Sequence, residues 1–257
     1  MSDAERTGLH IRERTTTRTA RYVVLGAAPA QARRVWFVLH GYGMLAARFV
    51  RPFDGIIPPD TCIVAPEALS RFYLESPRAD GGHQQRVGAA WLTRESRETE
   101  IADAHAWLTR VYDEVMSEAQ ADGAPAPQVA ILAFSQGVAT AMRWVASAQV
   151  QPTWFVAWAG GLAHDVDREG FVSAMRDGEI VMVTGTADHF ATDAARDAAQ
   201  SALQSIGLEP RILSFSGGHH LDASLLQSML ESFGTPGHGT PGHGTPGHGT
   251  PGHGTHP

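Results

Sequence analysis

Gln128-Val-Ala-Ile-Leu-Ala-Phe-Ser-Gln-Gly-Val-Ala-Thr-Ala-Met-Arg-Trp-Val145 joins an apolar run to a stretch of helical character through five residues, Ala133 to Gly137, centred on Ser135. A serine at a sharp strand-to-helix turn is held in a strained backbone conformation with its hydroxyl exposed. The amides that open the helix then point toward whatever that hydroxyl attacks. The spacing departs from Gly-x-Ser-x-Gly only at Ala133, a difference of one methyl group, and Gly137 keeps the residue that lets the helix approach the turn. Taken alone, the pentapeptide also suits an ordinary turn or helix cap. Its surroundings decide between the two.

Six further apolar or β-branched stretches accompany Val129 to Phe134: Arg21 to Gly26, Val35 to Leu39, Cys62 to Ala65, Trp154 to Trp158, Ile180 to Thr184 and Arg211 to Phe215. Such continuous runs suit strands covered by helices on both faces, the condition of a mostly parallel sheet. Between them, Arg94 to Ala119 carries a helix-spaced stripe of Ile101, His105, Leu108, Val111, Tyr112 and Val115, and Ala191 to Ile206 and Ala223 to Phe233 read as shorter helices. The connection containing Ala28-Pro29 is too short for a crossover helix, so the first stretch, Thr15 to Gly26, is expected to be an antiparallel edge hairpin partner. The alternation predicts an α/β fold, a mostly parallel, doubly wound sheet flanked by helices.

The region 1–233 reads as one domain. From Gly234 to Pro257 the chain repeats Gly-Thr-Pro-Gly-His four times and closes with Gly-Thr-His-Pro, with no side chain able to build a core, so this tail is expected to be disordered. Its histidines at 238, 243, 248, 253 and 256 have no preorganised ligand spacing, and no metal or cofactor is expected. The formal charge of -7 at pH 7 comes without a basic cluster, which argues against nucleic acid as a partner. Cys62, the single cysteine, excludes an intrachain disulfide and suits a reducing compartment. The polar start at Met1-Ser-Asp-Ala lacks the apolar core of a signal peptide and no run reaches membrane-spanning length, so the expectation is cytoplasmic.

In doubly wound sheets the functional groups gather at the carboxyl ends of the strands. Four predicted strand ends carry distinctive chemistry: His40-Gly-Tyr-Gly43, Ser135, Gly185-Thr-Ala-Asp188 and Ser216-Gly-Gly-His-His220. A serine hydroxyl needs a base to take its proton, and the base needs an acid to fix its tautomer. The order Ser135, Asp188, His219 supplies all three. His220 is the rival base and Asp165 the alternative acid, while His40 is expected to tie down its own turn. A tetrahedral intermediate also needs fixed donors for its oxyanion, and the backbone amides of Tyr42 and Gln136 are the natural pair.

These residues resemble the carboxylesterase and phospholipase group of α/β-hydrolases that includes acyl-protein thioesterases. The resemblance rests on Leu39-His-Gly-Tyr-Gly43, Ala65-Pro-Glu67, Ala90-Trp91, Phe134-Ser-Gln-Gly-Val138, Gly160-Gly161, Gly185-Thr-Ala-Asp188 and Gly217-Gly-His219, and spans Val35 to Phe233. It implies an α/β-hydrolase fold, Ser135 as nucleophile, Asp188 as acid, His219 as base, and an oxyanion hole of the Tyr42 and Gln136 amides. It further implies metal-independent hydrolysis of carboxylic esters or thioesters. The sequence departs from the group at Ala133 and at Met44-Leu-Ala-Ala47, where polar residues commonly follow the turn.

The second departure bears on substrate. Met44, Leu45, Phe72 and Trp91 are candidates for an apolar acyl pocket, with the long Pro66–Trp91 connection as its wall or lid, unless they fill the core beneath it. Without a separate lid domain, short to medium acyl esters of small molecules are the expected substrates. A thioesterase acting on acyl-protein or acyl-CoA and a catalytically silent binding protein are the alternatives.

Overall fold

The computed structural model describes residues 10–77, 83–147 and 150–233. The tail from Gly234, expected to be disordered, and the Asp80-Gly81-Gly82 stretch of the Pro66–Trp91 connection lie outside those residues. The strands in chain order are β1 (Tyr22–Gly26), β2 (Arg34–Leu39), β3 (Thr61–Pro66), β4 (Ser70–Pro77), β5 (His83–Ala90), β6 (Gln128–Phe134), β7 (Trp154–Trp158), β8 (Glu179–Gly185) and β9 (Arg211–Phe215). The helices are α1 (Ala46–Phe49), α2 (Arg97–Ala119), α3 (Gln136–Ser147), α4 (Arg168–Ala174), α5 (Asp193–Gln204) and α6 (Ala223–Ser232).

Each of the seven apolar runs forms a strand of one sheet, in the order β1-β3-β2-β6-β7-β8-β9. β1 is the antiparallel edge strand as expected, but it starts at Tyr22 and pairs with β3, which lies between it and β2, so it forms no hairpin with β2; the other pairings in this sheet are parallel. The continuous hydrophobicity is explained by alternation across two covered faces. Val35, Phe37 and Leu39 of β2 join Leu108 and Val111 of α2, Trp144 of α3 and Phe171 of α4. Trp36 and Val38 face the opposite way, against Phe49, Phe53, Leu226, Leu230 and Phe233. Full burial of each such side chain contributes about 1.5–3 kcal/mol. α2 starts three residues later than the charge pattern suggested, because Ser96 lies in the left-handed region at φ 44°.

The Pro66–Trp91 connection, expected to be a pocket-forming loop, is instead largely an antiparallel hairpin of β4 and β5. Its backbone lies against the turn that follows β2: Met44 bridges Ala89, and a Cβ on Gly88 would sit 2.4 Å from the Gly43 carbonyl oxygen. Among the described residues, no helix is long and apolar enough to cross a membrane.

This topology fixes where chemistry can occur. Chain order runs outward to β3 on one side of the β2–β6 pair and outward to β7, β8 and β9 on the other, so the loops after β2 and β6 diverge and leave a crevice. The register levels the strand ends, with Leu39 opposite Ala133, Ala133 opposite Ala157, and Gly185 opposite Phe215. All four distinctive loops therefore leave the same edge of the sheet.

Two adjacent glycines after β7 should respond oppositely to one methyl group. A Cβ on Gly160 would meet the Ser135 carbonyl oxygen at 2.3 Å, whereas one on Gly161 would meet nothing within 4 Å. Gly160→Ala is expected to lose about 1–3 kcal/mol of stability in urea denaturation, and Gly161→Ala to stay within about 0.5 kcal/mol of the parent.

Candidate active site

The turn between β6 and α3 holds Ser135 at φ 53°, a conformation that costs a residue with a side chain about 1–3 kcal/mol. Its amide donates to the Trp158 carbonyl at 2.9 Å, and its own carbonyl accepts from the Val138 amide at 3.0 Å to begin the helix. Gly137 permits the close approach, since a Cβ there would lie 2.7 Å from the Leu39 carbonyl oxygen. Ala133, the departure in the motif, is fully buried between Leu39 and Ala157, in a core layer that accepts its methyl group.

Ser135, His219 and Asp188 are brought together. The Ser135 hydroxyl lies 2.9 Å from His219 Nε2, and His219 Nδ1 lies 2.8 Å from Asp188 Oδ2. Asp188 Oδ1 accepts from the amides of Phe190 at 2.8 Å and Ala191 at 3.0 Å. Burial alone would push the Asp188 carboxyl up, but the Ala191 amide, the His219 ring and the Phe190 amide outweigh it and hold the group below its usual range. An ionised carboxylate only accepts, so His219 Nδ1 carries the proton and donates it. In the neutral ring, Nε2 is then the nitrogen with a lone pair toward the serine hydroxyl. The imidazole sits between two rings, with centroids 4.8 Å from Phe134 and 5.0 Å from Phe190.

The rivals are engaged elsewhere. His220 packs on Phe215 with ring centroids 5.2 Å apart, and its carbonyl accepts from Trp158 Nε1. Asp165 accepts from Arg143 Nε and Nη2 at 2.9 and 2.6 Å and from Arg97 Nη2 at 2.6 Å. His40 ties down its own turn as expected: the Ala68 amide donates to Nε2 at 3.1 Å, which leaves the proton on Nδ1, 2.8 Å from the Gly41 carbonyl oxygen. Burial keeps this ring's pKa below the ordinary histidine value despite the nearby Glu67.

The turn carrying Tyr42 is fastened on several sides. Gly43 donates to the Ala89 carbonyl at 2.8 Å, Trp91 Nε1 to the His40 carbonyl at 2.8 Å, and the Ala46 amide to Glu67 Oε2 at 3.2 Å. Buried Glu67 is in turn paired with Arg21 and Arg71. Gln136 holds the far side, accepting from the Trp91 amide and donating to the Leu92 carbonyl. Among the described residues, neither the Tyr42 nor the Gln136 amide donates to a backbone or side-chain acceptor.

A cavity of about 400 Å³ opens beside Ser135 and His219. Met44, Leu45, Phe72 and Trp91 do not line it. Trp91 is buried in the core under the turn, Met44 and Leu45 pack partly buried against the two core layers, and Phe72 stacks on Tyr42 at 5.1 Å. The wall is made instead by Leu92, Ala139, Phe190, Arg97, Arg143 and His164, together with the Gly160-Gly161 backbone. The sequence reading missed these. Arg143 stands on α3 about two turns beyond the Ser135 elbow, and that spacing was the available signal. Cys62 is buried, and burial, with a smaller contribution from Glu118, pushes its thiol up to about 12, away from nucleophilic use. Among the described residues, no group of three or more His, Cys, Asp or Glu side chains is arranged to hold a metal ion.

No protein-family model and no curated protein sequence matches the chain. Solved structures do match. A phospholipase/carboxylesterase from Dyadobacter fermentans aligns over 85% of this chain and 98% of its own at TM-score 0.58 and 16% identity. A carboxylesterase from Mesorhizobium loti aligns over 83% and 95% at TM-score 0.60 and 18% identity. Acyl-protein thioesterase 2 from Zea mays aligns over 83% and 97% at TM-score 0.59 and 15% identity. The likeness is one of fold: the mixed, mostly parallel sheet flanked by helices is the α/β-hydrolase architecture expected from the sequence.

Acid stability should report the Asp165 pairing. Burial would raise this carboxyl, but the hydrogen bonds from Arg143 and Arg97 hold it well below the usual range. A native value below the unfolded one contributes stability that is present above the unfolded value of about 4 and lost as pH falls through the native value. The urea midpoint is therefore expected to drop below about pH 4. Asp165→Asn should lower that midpoint at neutral pH and flatten its acid dependence; an unchanged slope would remove the pairing from the account.

Proposed function

We propose that the protein is a serine hydrolase that cleaves carboxylic esters of short to medium acyl chains through an acyl-enzyme. One observation carries this reading: an unbroken hydrogen-bond path from the Ser135 hydroxyl through His219 to Asp188, at 2.9 and 2.8 Å, beginning on a positive-φ turn. These distances suit general-base activation of the serine by a neutral His219. The fold likeness to esterase structures supports it. The proposed catalytic domain spans 1–233, with 234–257 as an appended tail and the cytoplasm as its compartment.

In the reaction, Ser135 Oγ attacks the ester carbonyl carbon as its proton passes to His219 Nε2. Asp188 stabilises the imidazolium. The amides of Tyr42 and Gln136 receive the oxyanion, each such donor contributing about 3 kcal/mol to the transition state. As the carbonyl re-forms, the carbon–oxygen bond to the alcohol breaks and His219 returns the proton to the leaving oxygen. Water, deprotonated by His219 Nε2, then attacks the acyl carbon, the bond from that carbon to Ser135 Oγ breaks, and His219 returns the proton to Oγ as the carboxylic acid leaves. Every proton has a named carrier, so no metal or cofactor is assigned.

The same steps act on a thioester, and the maize structure named an acyl-protein thioesterase makes this the second reading. Matched oxyester and thioester substrates of one acyl group separate the two by their kcat/KM ratio.

Ser135→Ala is expected to lower kcat by about 10⁵- to 10⁶-fold, His219→Ala comparably, and the double variant little further, because the groups act as a unit. His220→Ala should matter far less. Folded Ser135→Ala protein with near-parental ester hydrolysis would remove the serine from the mechanism. A folded parent protein inert toward activated esters and thioesters would favour a silent binding protein.

A further inference from the structure

The cavity beside Ser135 carries more positive charge than cleavage of a neutral ester requires. Arg97 and Arg143 both line it, and Asp165, which pairs with both, does not. One carboxylate thus stands behind two guanidinium groups. The other partner of Arg97, Glu98, is 84% exposed and its charge is largely screened by water. The two guanidinium groups thus line the cavity while their carboxylate partners lie outside its lining, so the wall presents a positive potential to a ligand.

The donors at this wall are not used up. A guanidinium presents five N–H groups. Arg143 gives Nε and one N–H of Nη2 to Asp165 and one N–H of Nη1 to the Ala139 carbonyl. Arg97 gives one N–H of Nη1 to Glu98 and one of Nη2 to Asp165. Among the described residues, each terminal nitrogen therefore retains one N–H without a protein acceptor. Asp165 also does positional work: with Arg143 8% exposed and clamped through two nitrogens, its fork is held before any ligand arrives.

We propose that Arg143 and Arg97 seat a carboxylate on the substrate, so that the preferred ester is a small one bearing a free carboxylate a few atoms from the scissile carbonyl. This rests on the serine-hydrolase reading and specifies its substrate class. The arrangement selects by leaving the remaining guanidinium N–H groups of the wall without a ligand acceptor when a neutral ester binds.

The test compares kcat/KM for p-nitrophenyl hemisuccinate and its uncharged isostere, p-nitrophenyl isocaproate. A second pair, p-acetoxybenzoate and its methyl ester, places the charge on the leaving group. The charged member of one pair is expected to lead by about tenfold or more at low ionic strength, as a charge-assisted bidentate contact implies, and the lead should shrink with added salt. Arg97→Gln should cut that ratio about fivefold or more and Arg97→Lys should restore part of it. If Arg143→Gln does not fold, Arg97→Gln carries the test, its side chain being 27% exposed. Calorimetric titration of succinate into Ser135→Ala protein gives a readout independent of turnover, with binding expected and its loss on adding Arg97→Gln. Hydrolysis of all four esters with no charge preference, or a preference indifferent to Arg97→Gln, would overturn the proposal while leaving the hydrolase reading intact. Succinate binding without hydrolysis of any ester would uphold the anion seat and remove the hydrolase.

Discussion

The site depends on a backbone constraint, the left-handed conformation of Ser135 at φ 53°. In an isolated chain a serine would leave that conformation for one about 1–3 kcal/mol lower. Here it is held on three sides. The amide is fixed to β7 through Trp158, Gly137 admits α3 against the Leu39 and His40 carbonyls, and Gly160 admits the Ser135 carbonyl itself. The constraint exposes the hydroxyl toward His219 and leaves the Gln136 amide at the opening of the helix, where the partial positive charge of the helix N-terminus lies. Ala159, at the neighbouring strand end, is also held at positive φ (51°).

Around that turn the loops restrain one another. β5 holds the Gly43 amide, Trp91 holds the His40 carbonyl, Gln136 holds Trp91, and Trp158 holds the His220 carbonyl next to His219. Most of these groups are buried, so their hydrogen bonds exclude competing water and a lost partner would leave a costly orphan. The effect is to move rigidity from the sheet into loops that carry no regular structure. Catalysis by electrostatic preorganisation requires that transfer, because donors that must reorient at the moment of reaction lose much of their advantage.

The sheet was legible because burial on both faces demands uninterrupted apolar runs, and such runs as Val35 to Leu39 and Trp154 to Trp158 stand out in any chain. The Ser135, Asp188 and His219 constellation was legible because each residue follows a predicted strand end. The β4–β5 hairpin was not, since Arg71, Tyr73 and Arg86 face solvent and break the apolar run. Trp91 could be read as pocket or core, and only the fold shows it lying under the His40 turn. The Arg97–Asp165–Arg143 network stayed hidden because its members stand 68 and 22 residues apart, and a lone arginine in a helix usually marks a solvated face.

The central claim is that Ser135 is an activated nucleophile, and covalent labelling by a fluorophosphonate asks that directly. Native protein treated with the probe, digested and read by mass spectrometry is predicted to carry one adduct, on the peptide containing Ser135, with labelling abolished by heat denaturation. Native protein that stays unlabelled, or that is modified at another serine while Ser135 remains free, would contradict the account.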